Sequence, residues 1–279
     1  MIHRADFVEV VGRALSEDLG SLGDVTTDSS VPETAESMAI VVARAPGVIA
    51  GLDVAAYVFE ALDPSVDFEP LVSDGDRVES GTEIARIAGH SRSILTGERT
   101  ALNLLGRMSG VATATARLVD AVSGTGAKIS DTRKTMPGLR ALDKYAVRVG
   151  GGMNHRFGLY DAVLIKDNHL VAAGSISDAV AAVRANVSPG AMVEVEVVDL
   201  EQLSEVLQTD ADRVLLDNMG HELLRQAVEL VDGRLTTEAS GGVTEENVRQ
   251  LAETGVDIIS VGWITHSAPQ LDIALDFVS

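Results

Sequence analysis

The spacing of hydrophobic and polar residues changes along this chain of 279 residues. Residues 36–90 contain short apolar stretches interrupted by Pro-Gly, Asp-Gly and Ser-Gly pairs, a pattern typical of strands joined by turns. From residue 91 to about 123 the apolar residues recur at helical spacing, which predicts one long helix or two helices joined between Gly106 and Gly110. We therefore expect a small sheet-containing domain, followed by a helix that links it to the rest of the chain.

After Gly126 the pattern becomes an alternation of short apolar runs and helical segments. The runs predict strands at residues 127–129, 162–165, 192–198, 214–216, 235–237 and 258–261. The segments between them predict helices that include residues 177–187, 200–207, 221–230 and 245–253. Alternation of this kind indicates parallel strands with crossover helices, in either a (β/α) barrel or an open doubly wound sheet.

Polar residues at the ends of the predicted strands favour the barrel. They follow nearly every strand, at Asp131 and Arg133, Lys166, Glu196, Asp217, Ser240-Gly241-Gly242, and Ser260 with Gly262. A barrel brings the carboxyl ends of all its strands to one mouth, whereas an open sheet has mainly one crevice. The predicted fold is therefore α/β, with the functional residues at the mouth of the C-terminal barrel.

Composition narrows the function classes. Hydrophobic residues make up 46% of the chain and aromatic residues 3%, so the core is built mainly from Ala, Val, Leu and Ile. The formal net charge of −20 opposes binding to nucleic acid or to an anionic membrane. The absence of cysteine excludes a thiolate nucleophile and a Cys-ligated zinc. The start of the chain has an amphipathic helical pattern and no apolar run approaches about 20 residues, so we expect a cytoplasmic protein.

Residues 131–167 form a basic segment in this acidic chain, with seven Lys or Arg residues against four Asp, a balance of +3. Arg133 and Arg156 can each offer a planar fork to a carboxylate or phosphate, and Lys134 and Lys166 supply point charges. These residues predict a pocket for a small polyanion. A second group has helical spacing and is interpreted as surface salt-bridge residues: Arg140, Lys144 and Arg148. Taken alone, Lys166 also leaves a Schiff-base aldolase open.

Carboxylates and glycines supply the other candidate chemistry. Glu196 and Asp217 end successive strands, where they could share Mg²⁺ through water or bind two ribose hydroxyls. Glu194 has the same strand parity as Glu196, so spacing alone leaves open which of these two glutamates faces the site. Residues 240–242 and 260–262 lie in the last two strand-to-helix loops, where barrels bind phosphate.

The histidines are less decisive. His155 lies beside Arg156 in a glycine-introduced turn and could hydrogen-bond an anionic ligand, whereas His169 and His266 are weaker candidates. The sequence contains neither the spacing of a closed metal-ligand set nor a legible Ser-His-Asp order.

Nine ordered motifs resemble those of the quinolinate phosphoribosyltransferases, also called nicotinate-nucleotide pyrophosphorylases (carboxylating). They cover almost the whole chain: Glu17-Asp18-Leu19-Gly20 with Gly23-Asp24-Val25-Thr26-Thr27, Gly97–Asn103, Asp131–Thr135, Gly150–Arg156, Leu164–His169, Val193–Val197, Leu215–Asn218, Glu238–Gly242 and Ser260–Gly262. Trp263 departs from the family pattern, because a small residue is expected after Ser-Val-Gly. We expect its side chain to narrow the phosphate loop without removing the backbone donors.

The resemblance implies an N-terminal α/β sandwich domain at residues 1–108 and a C-terminal open (β/α) barrel at residues 109–279. The last helix of the chain is a candidate to pack back against the N-terminal domain. It also implies a head-to-tail homodimer in which Arg99 enters the partner's active site; further assembly of dimers is left open. The expected reaction transfers the phosphoribosyl group of phosphoribosyl pyrophosphate to quinolinate and releases CO₂, in the biosynthesis of NAD.

The resemblance also implies a role for each candidate residue. The two carboxylates of quinolinate are expected to be held by Arg133, Lys134, His155, Arg156 and Lys166, and Thr132 is expected to bind substrate. Glu196 and Asp217 are expected to bind ribose and Mg²⁺ and to act catalytically, by stabilising positive charge on the ribose ring. Ser240, Gly241, Gly242, Ser260, Val261 and Gly262 are expected to bind the 5-phosphate. Lys134 or Lys166 is expected to assist protonation after decarboxylation, and the choice between them is open.

Three other functions remain as alternatives. The nearest is a phosphoribosyltransferase of the same fold that acts on another pyridine carboxylate, such as nicotinate. The second is a Schiff-base lyase built on Lys166, and the third is a catalytically silent anion-binding protein. The presence of both Glu196 and Asp217 argues against the third.

Overall fold

The computed structural model describes residues 2–278, which form the helices and strands named here in chain order. A short 3-10 helix, Arg4–Asp6, precedes the α-helices α1 Val8–Leu19, α2 Val25–Ser30, α3 Leu52–Leu62, α4 Ser91–Ala121, α5 Arg140–Val149, α6 Asp167–Ala173, α7 Ile176–Asn186, α8 Leu200–Val206, α9 His221–Val231, α10 Val248–Ala252 and α11 Trp263–His266. The strands are β1 Glu36–Ala43, β2 Gly47–Val48, β3 Asp67–Pro70, β4 Arg77–Val78, β5 Glu83–His90, β6 Lys128–Ser130, β7 Val163–Ile165, β8 Val193–Val197, β9 Arg213–Asp217, β10 Thr236–Ser240, β11 Ile258–Ser260 and β12 Ile273–Val278.

The chain divides into two compact units, and the first unit comprises Met1–Ala116, Thr135–Gly151 and Ile264–Ser279. Its main sheet is antiparallel, in the order β12-β1-β5-β3, and β2 pairs with β4. Val41, Ile84 and Ile87 are buried on this sheet. Phe59 of α3 stacks on Phe68 of β3 with ring centroids 6.1 Å apart, and these apolar contacts hold the helix on the sheet.

The end of the chain is a strand, where the sequence analysis places a helix. Residues Ile273–Val278 pair antiparallel with β1, from Ile273 opposite Ala43 to Val278 opposite Met38. The β-branched residues Ile273 and Val278 and the aromatic residue Phe277 favour a strand in this segment. The return of the chain to the first unit is therefore made by strand pairing.

The second unit comprises Arg117–Lys134 and Gly152–Trp263 and contains a six-stranded sheet in the order β6-β11-β10-β9-β8-β7. All of its strand pairs are parallel. Val193, Val195 and Val197 of β8 are fully buried, as expected for a parallel strand whose outer face is covered by helices. The edge strands are β6 and β7, which fits an open barrel, and the predicted α/β class is confirmed.

Capping residues start the helices that follow the parallel strands. Ser175 accepts a hydrogen bond from the backbone N–H of Asp178 at the start of α7, and Asp199 accepts one from Gln202 at the start of α8. Each bond satisfies an N–H that has no partner inside the helix. The helices therefore begin close to the residues that the sequence pattern predicts.

Two features of the helices are decided by the structure. Of the two alternatives predicted for the segment after residue 91, the structure shows one long helix, α4, which is not broken at its glycines. Lys144 of α5 is only 1% exposed, so it is not the surface residue that its helical spacing suggests. Among residues 2–278, no helix is long and apolar enough to cross a membrane.

Candidate active site

One face of the parallel sheet is polar, because alternate residues of a strand point to the same side. Glu194 and Glu196 share a face of β8, Arg213 and Asp217 share a face of β9, and Glu238 and Ser240 share a face of β10. The strand register brings Glu194 opposite Arg213 and Ser240 opposite both Asp217 and Ser260. The polar positions of four neighbouring strands therefore form one continuous surface.

This surface leads into a cavity of about 610 Å³ at the carboxyl ends of the strands. Its walls are formed by Thr132, Arg133, Lys134, His155, Arg156, Leu164, Lys166, Glu196, Leu215, Asp217, Asn218, Glu238, Ser240, Gly241, Gly242 and Ser260. All of these residues belong to the second unit. The cavity volume lies in the range of small-molecule sites.

Twelve of the fifteen residues predicted from the sequence line the cavity. The three that do not are Arg99, Val261 and Gly262. Arg99 belongs to α4 in the first unit, and its side chain is 65% exposed. Val261 is buried, and its backbone N–H already donates to the carbonyl of Ser130 at 2.9 Å, so this N–H is not available to a ligand.

Two arginines form the cationic side of the cavity. Burial lowers the pKa of Arg156 from its usual range, and the positive charge of nearby Arg133 lowers it further. Among residues 2–278, no hydrogen-bond partner is found for the buried Nε atoms of the two guanidinium groups. Buried donors without a protein partner are uncommon in folded proteins, and these two are open to an acceptor that is not part of the chain. An anion with oxygen acceptors would satisfy both donors and reduce the repulsion between the two charges.

Two aspartates shape the segment that carries His155 and Arg156. Asp131, which follows β6 and is fully buried, accepts hydrogen bonds from the backbone N–H of His155 at 2.9 Å and from the side chain of Asn154 at 2.6 Å. Asp161 accepts the N–H groups of Phe157 and Gly158 at 2.6 and 2.8 Å. These bonds close the turns on either side of Arg156 and fix where its side chain leaves the backbone.

A buried polar cluster lies beneath the cavity. His155 Nε2 is 2.9 Å from Glu194 Oε2 and 3.5 Å from Glu238 Oε1, and Glu238 Oε2 accepts from Arg213 at 3.1 Å. Ser260 Oγ also donates to Glu238. Glu194 and Glu238 are both fully buried. We call these residues (His155, Glu194, Arg213, Glu238 and Ser260) the buried cluster.

The buried cluster raises the pKa values of Glu238 and His155. Burial, followed by the negative charge of Glu194, raises the pKa of Glu238 to about 7. Burial opposes the charged form of His155, but the hydrogen bond to Glu194 and the charge of Glu238 outweigh it and raise the pKa of His155. When it is protonated, His155 adds a further positive charge at the cavity wall.

Two groups of residues offer metal-ligand atoms. Ligand atoms of His155, Glu194 and Glu238 lie within 4.8 Å of one another. Arg213 already supplies positive charge to that group, which disfavours a cation there. Glu196 and Asp217 instead present carboxylates on the cavity wall, and hard oxygen donors of this kind fit Mg²⁺.

Lys166 and Glu196 form an ion pair across neighbouring strand ends. Lys166 Nζ is 2.6 Å from Glu196 Oε2, and the side chain of Lys166 is 45% exposed while that of Glu196 is 13% exposed. Glu194 and Glu196 lie on the same face of β8, but Glu194 is two residues deeper along the strand and is fully buried. Glu196 is the one that reaches the cavity.

The loop after β10 needs its two glycines. Gly241 and Gly242 have φ values of 98° and 60°, a region that favours glycine. A Cβ on Gly241 would lie 2.1 Å from Asn218 Oδ1. Asn218 itself has φ 53°, donates its backbone N–H to the carbonyl of Ser240 at 2.8 Å, and donates its side chain to Asp217. The loops after β9 and β10 therefore fit closely together.

The sequence analysis missed several residues of the site. Glu238, Asn218, Leu164 and Leu215 line the cavity, although each lies within a motif that was recognised. Strand parity was the available signal for Glu238, because it lies two residues before Ser240 on the same face of β10. Arg213 gave no such signal, since a charged residue at the start of a strand is usually exposed.

Comparisons with known proteins identify the family of this chain. The model for the quinolinate phosphoribosyl transferase C-terminal domain matches residues 111–276, and the model for the N-terminal domain matches residues 24–109. The nicotinate-nucleotide pyrophosphorylase [carboxylating] of Mycobacterium leprae is 50% identical over 273 residues, which cover 96% of each chain. A quinolinate phosphoribosyltransferase [decarboxylating] from Nicotiana tabacum is 44% identical over 288 residues, covering 97% of this chain and 82% of that protein.

A solved structure extends the likeness to the fold. The nicotinate-nucleotide pyrophosphorylase from Francisella tularensis has a TM-score of 0.95 and 39% identity to this chain, covering 100% of this chain and 98% of that one. Together, the two family models account for most of the sequence. The chain belongs to the quinolinate phosphoribosyltransferase family.

Proposed function

We propose that the cavity binds quinolinate beside Arg133 and Arg156 and phosphoribosyl pyrophosphate beside Glu196 and Asp217. The chain is a decarboxylating pentosyltransferase that acts in NAD biosynthesis, by the activity of its family. The products are nicotinate mononucleotide, pyrophosphate and CO₂. The observation that carries the assignment is the pair of adjacent guanidinium groups whose buried Nε donors have no partner.

The cationic wall suits two carboxylates better than one. Arg133, Lys134, Arg156 and Lys166 all line the cavity, and protonated His155 adds to their charge. A bidentate carboxylate on each arginine would satisfy the unpaired donors through charge-assisted hydrogen bonds. A pyridine ring with neighbouring carboxylates presents this acceptor pattern, and Leu164 and Leu215 offer apolar surface to a ring.

The carboxylates and the glycine loop of the cavity suit a phosphorylated sugar. Glu196 and Asp217 are placed to accept hydrogen bonds from ribose hydroxyls, and the residues at 240–242 with Ser260 suit the 5-phosphate. Glu196 and Asp217 would also hold Mg²⁺, which when bound neutralises charge on the leaving pyrophosphate. Thr132 lies at the same wall as Lys134 and accepts the backbone N–H of Lys134 at 3.0 Å, which closes the turn there.

The residues support the reaction by position and charge. The pyridine nitrogen forms a bond to the anomeric carbon as the bond to pyrophosphate breaks, and positive charge develops on the ribose ring. Glu196 and Asp217 stabilise that charge because they are held near the ring in a partly buried site. The carboxylate next to the alkylated nitrogen then leaves as CO₂. Its electron pair stays on the ring carbon beside the cationic nitrogen, and a proton from Lys134 or Lys166 completes the product.

Assembly and location belong to the same proposal. Arg99 is exposed, and its nearest carboxylate is Glu98 at 3.6 Å, which leaves its guanidinium able to reach an anion on another protomer. We infer a homodimer in which each site receives Arg99 from the partner. A cytoplasmic location stays a prediction from the sequence. The printed name of the tobacco relative includes the word mitochondrial.

Substitution of each arginine tests the quinolinate site. We expect Arg133→Ala and Arg156→Ala to raise the KM for quinolinate at least about tenfold, since each removes charge-assisted bonds of roughly 1.5–3 kcal/mol. The assay separates nicotinate mononucleotide by chromatography, with quinolinate or nicotinate as the pyridine substrate. The matched control is Arg225→Ala, which removes an exposed arginine of α9. Unchanged kinetics in both site variants, or product from nicotinate alone, would reject the dicarboxylate site.

A further inference from the structure

A single side chain joins the two loops that are proposed to bind the 5-phosphate. Trp263 begins α11, immediately after residues 260–262, and its indole N–H donates to the carbonyl of Val243 at 3.0 Å. Val243 directly follows Gly242 in the loop after β10. Trp263 is partly buried and does not line the cavity, so any effect on a ligand must pass through the loop.

Side chains hold two consecutive carbonyls of the loop after β10. The carbonyl of Gly242 accepts from Asn247 Nδ2 at 2.9 Å, and the carbonyl of Val243 accepts from Trp263. In a planar trans peptide the N–H points away from the carbonyl of the same peptide group. The N–H of Thr244, which shares a peptide group with the carbonyl of Val243, donates to Asn247 Oδ1 at 2.8 Å. Asn247 and Trp263 therefore set the orientation of both peptide groups.

The N–H groups of this loop are available to a ligand. Within residues 2–278, the backbone N–H groups of Gly242 and Val243 make no hydrogen bond to protein. Successive N–H groups in a glycine loop with positive φ values form an anion-binding concavity. Both glycines have positive φ values, so the alignment of these N–H groups depends on the hydrogen bonds that Asn247 and Trp263 make to the neighbouring carbonyls.

We propose that Trp263 is a positioning residue for phosphate binding: its hydrogen bond to Val243 fixes the loop after β10 against the loop after β11, so that backbone N–H groups face the phosphate of the sugar substrate. This inference rests on the proposed function, which assigns these loops to the 5-phosphate. Trp263 restrains this loop from the start of α11. The restraint depends on the indole N–H and not only on the size of the ring.

Kinetics of three variants test the inference. Trp263→Phe keeps an aromatic ring but has no N–H. We expect it to raise the KM for phosphoribosyl pyrophosphate about fivefold to tenfold, as for loss of one hydrogen bond, with the KM for quinolinate changed less than about twofold. Gly241→Ala disrupts the loop directly and is expected to raise the same KM further. Tyr57→Phe, which removes a polar group from an aromatic residue in the first unit, is the control and is expected to match the wild type.

The pattern of results separates the two proposals. If Gly241→Ala raises the KM for phosphoribosyl pyrophosphate and Trp263→Phe does not, the inference about Trp263 is wrong and the phosphate site stands. If neither variant changes that KM, the placement of phosphate on these loops is wrong as well. Equal increases in both substrate KM values for Trp263→Phe would indicate a general loss of structure and would also count against the inference.

The wild-type protein offers an independent test, because Trp263 is the sole tryptophan of the chain. Its fluorescence therefore reports on this position alone. Titration with inorganic phosphate is expected to change the emission saturably, whereas sodium chloride added to the same ionic strength is expected to leave it unchanged. In Gly241→Ala the change is expected at higher phosphate concentration. Emission that follows ionic strength in both titrations would overturn the inference, even where Trp263→Phe does not fold.

Discussion

At the scale of single residues, the buried cluster makes stability depend on pH. The pKa of Glu238 is raised from 4.5 to about 7, first by burial and then by Glu194. A carboxyl group with a raised folded-state pKa binds more protons in the folded state. Its contribution to the free energy of unfolding is therefore full below the unfolded pKa and falls as pH rises from about 4.5 to about 7. The raised pKa of His155 acts in the same direction, because its stabilisation is lost as pH rises through the folded-state value.

Glu238→Gln is expected to flatten this dependence. The amide cannot ionise, so the free energy of unfolding should decrease less between about pH 4.5 and 7 than in the wild type, by on the order of 1–3 kcal/mol. Denaturant titrations at several pH values measure the difference. Glu253→Gln, which changes an exposed residue of a helical ion pair, serves as the control. A slope in Glu238→Gln equal to that of the wild type would show that Glu238 does not titrate in this range.

Site residues were predicted best where a charged residue follows a strand or a glycine turn. Four residues of this kind line the cavity: Arg133, Arg156, Lys166 and Asp217. Depth along a strand was not predictable, since Glu194 and Glu196 have the same parity and only the structure separates the buried residue from the one at the cavity. The burial of Lys144 was also not predictable from the sequence. Helical spacing shows which residues share one side of a helix, but it does not show whether another part of the protein packs against that side.

At the scale of elements, the glycines of α4 show why a sequence pattern can leave two structures open. Gly106 and Gly110 lower helix propensity, so one long helix and two joined helices were both predicted, and α4 is a single continuous helix. A Cβ on Gly110 would lie 2.1 Å from the carbonyl oxygen of Pro269, and one on Gly106 would lie 3.0 Å from that of Leu271. The backbone N–H of Leu271 also donates to the carbonyl of Gly106. These glycines allow another segment to approach closely, and that segment lies about 160 residues away in the sequence, beyond the reach of local analysis.

The short helix α2 offers a test of element stability. Asp24 caps it by accepting the N–H of Thr27 at 3.0 Å, and it also accepts from Thr96 of α4 at 3.2 Å. The hydrogen bonds from Thr27 lower the pKa of Asp24, so its stabilisation is present above the unfolded pKa and is lost as pH falls. We expect Asp24→Ala to lower the free energy of unfolding by about 1–2 kcal/mol at neutral pH.

The matched variant for this position is Asp24→Asn. Asparagine keeps an oxygen acceptor for the N–H of Thr27 and is as good a helix cap as aspartate, so we expect it to retain most of the stability. Both variants are measured by denaturant unfolding monitored by far-UV circular dichroism. If the alanine and asparagine variants were equally stable, capping by Asp24 would not contribute to the fold.

At the scale of the whole molecule, the charge distribution favours selective binding over general attraction of anions. The net charge of −20 repels anions from most of the surface, while the cavity gathers Arg133, Lys134, Arg156 and Lys166. Affinity for an anionic substrate must therefore come from close contacts inside the cavity. A further exposed cation, such as Arg99 of the partner, would strengthen this local field without changing the net charge per chain.

Mixing of inactive variants tests the shared site. Arg99→Ala keeps an intact barrel cavity but cannot supply its arginine, and Lys166→Ala keeps Arg99 but has a defective cavity. A mixed dimer then contains one site with all native residues and one with both defects. Random exchange of subunits should restore about a quarter of the wild-type kcat per protomer, since half of the dimers are mixed and each has one native site. Subunit exchange is verified by differently tagged chains. Exchange without recovered activity would mean that Arg99 acts, if at all, on the site of its own chain.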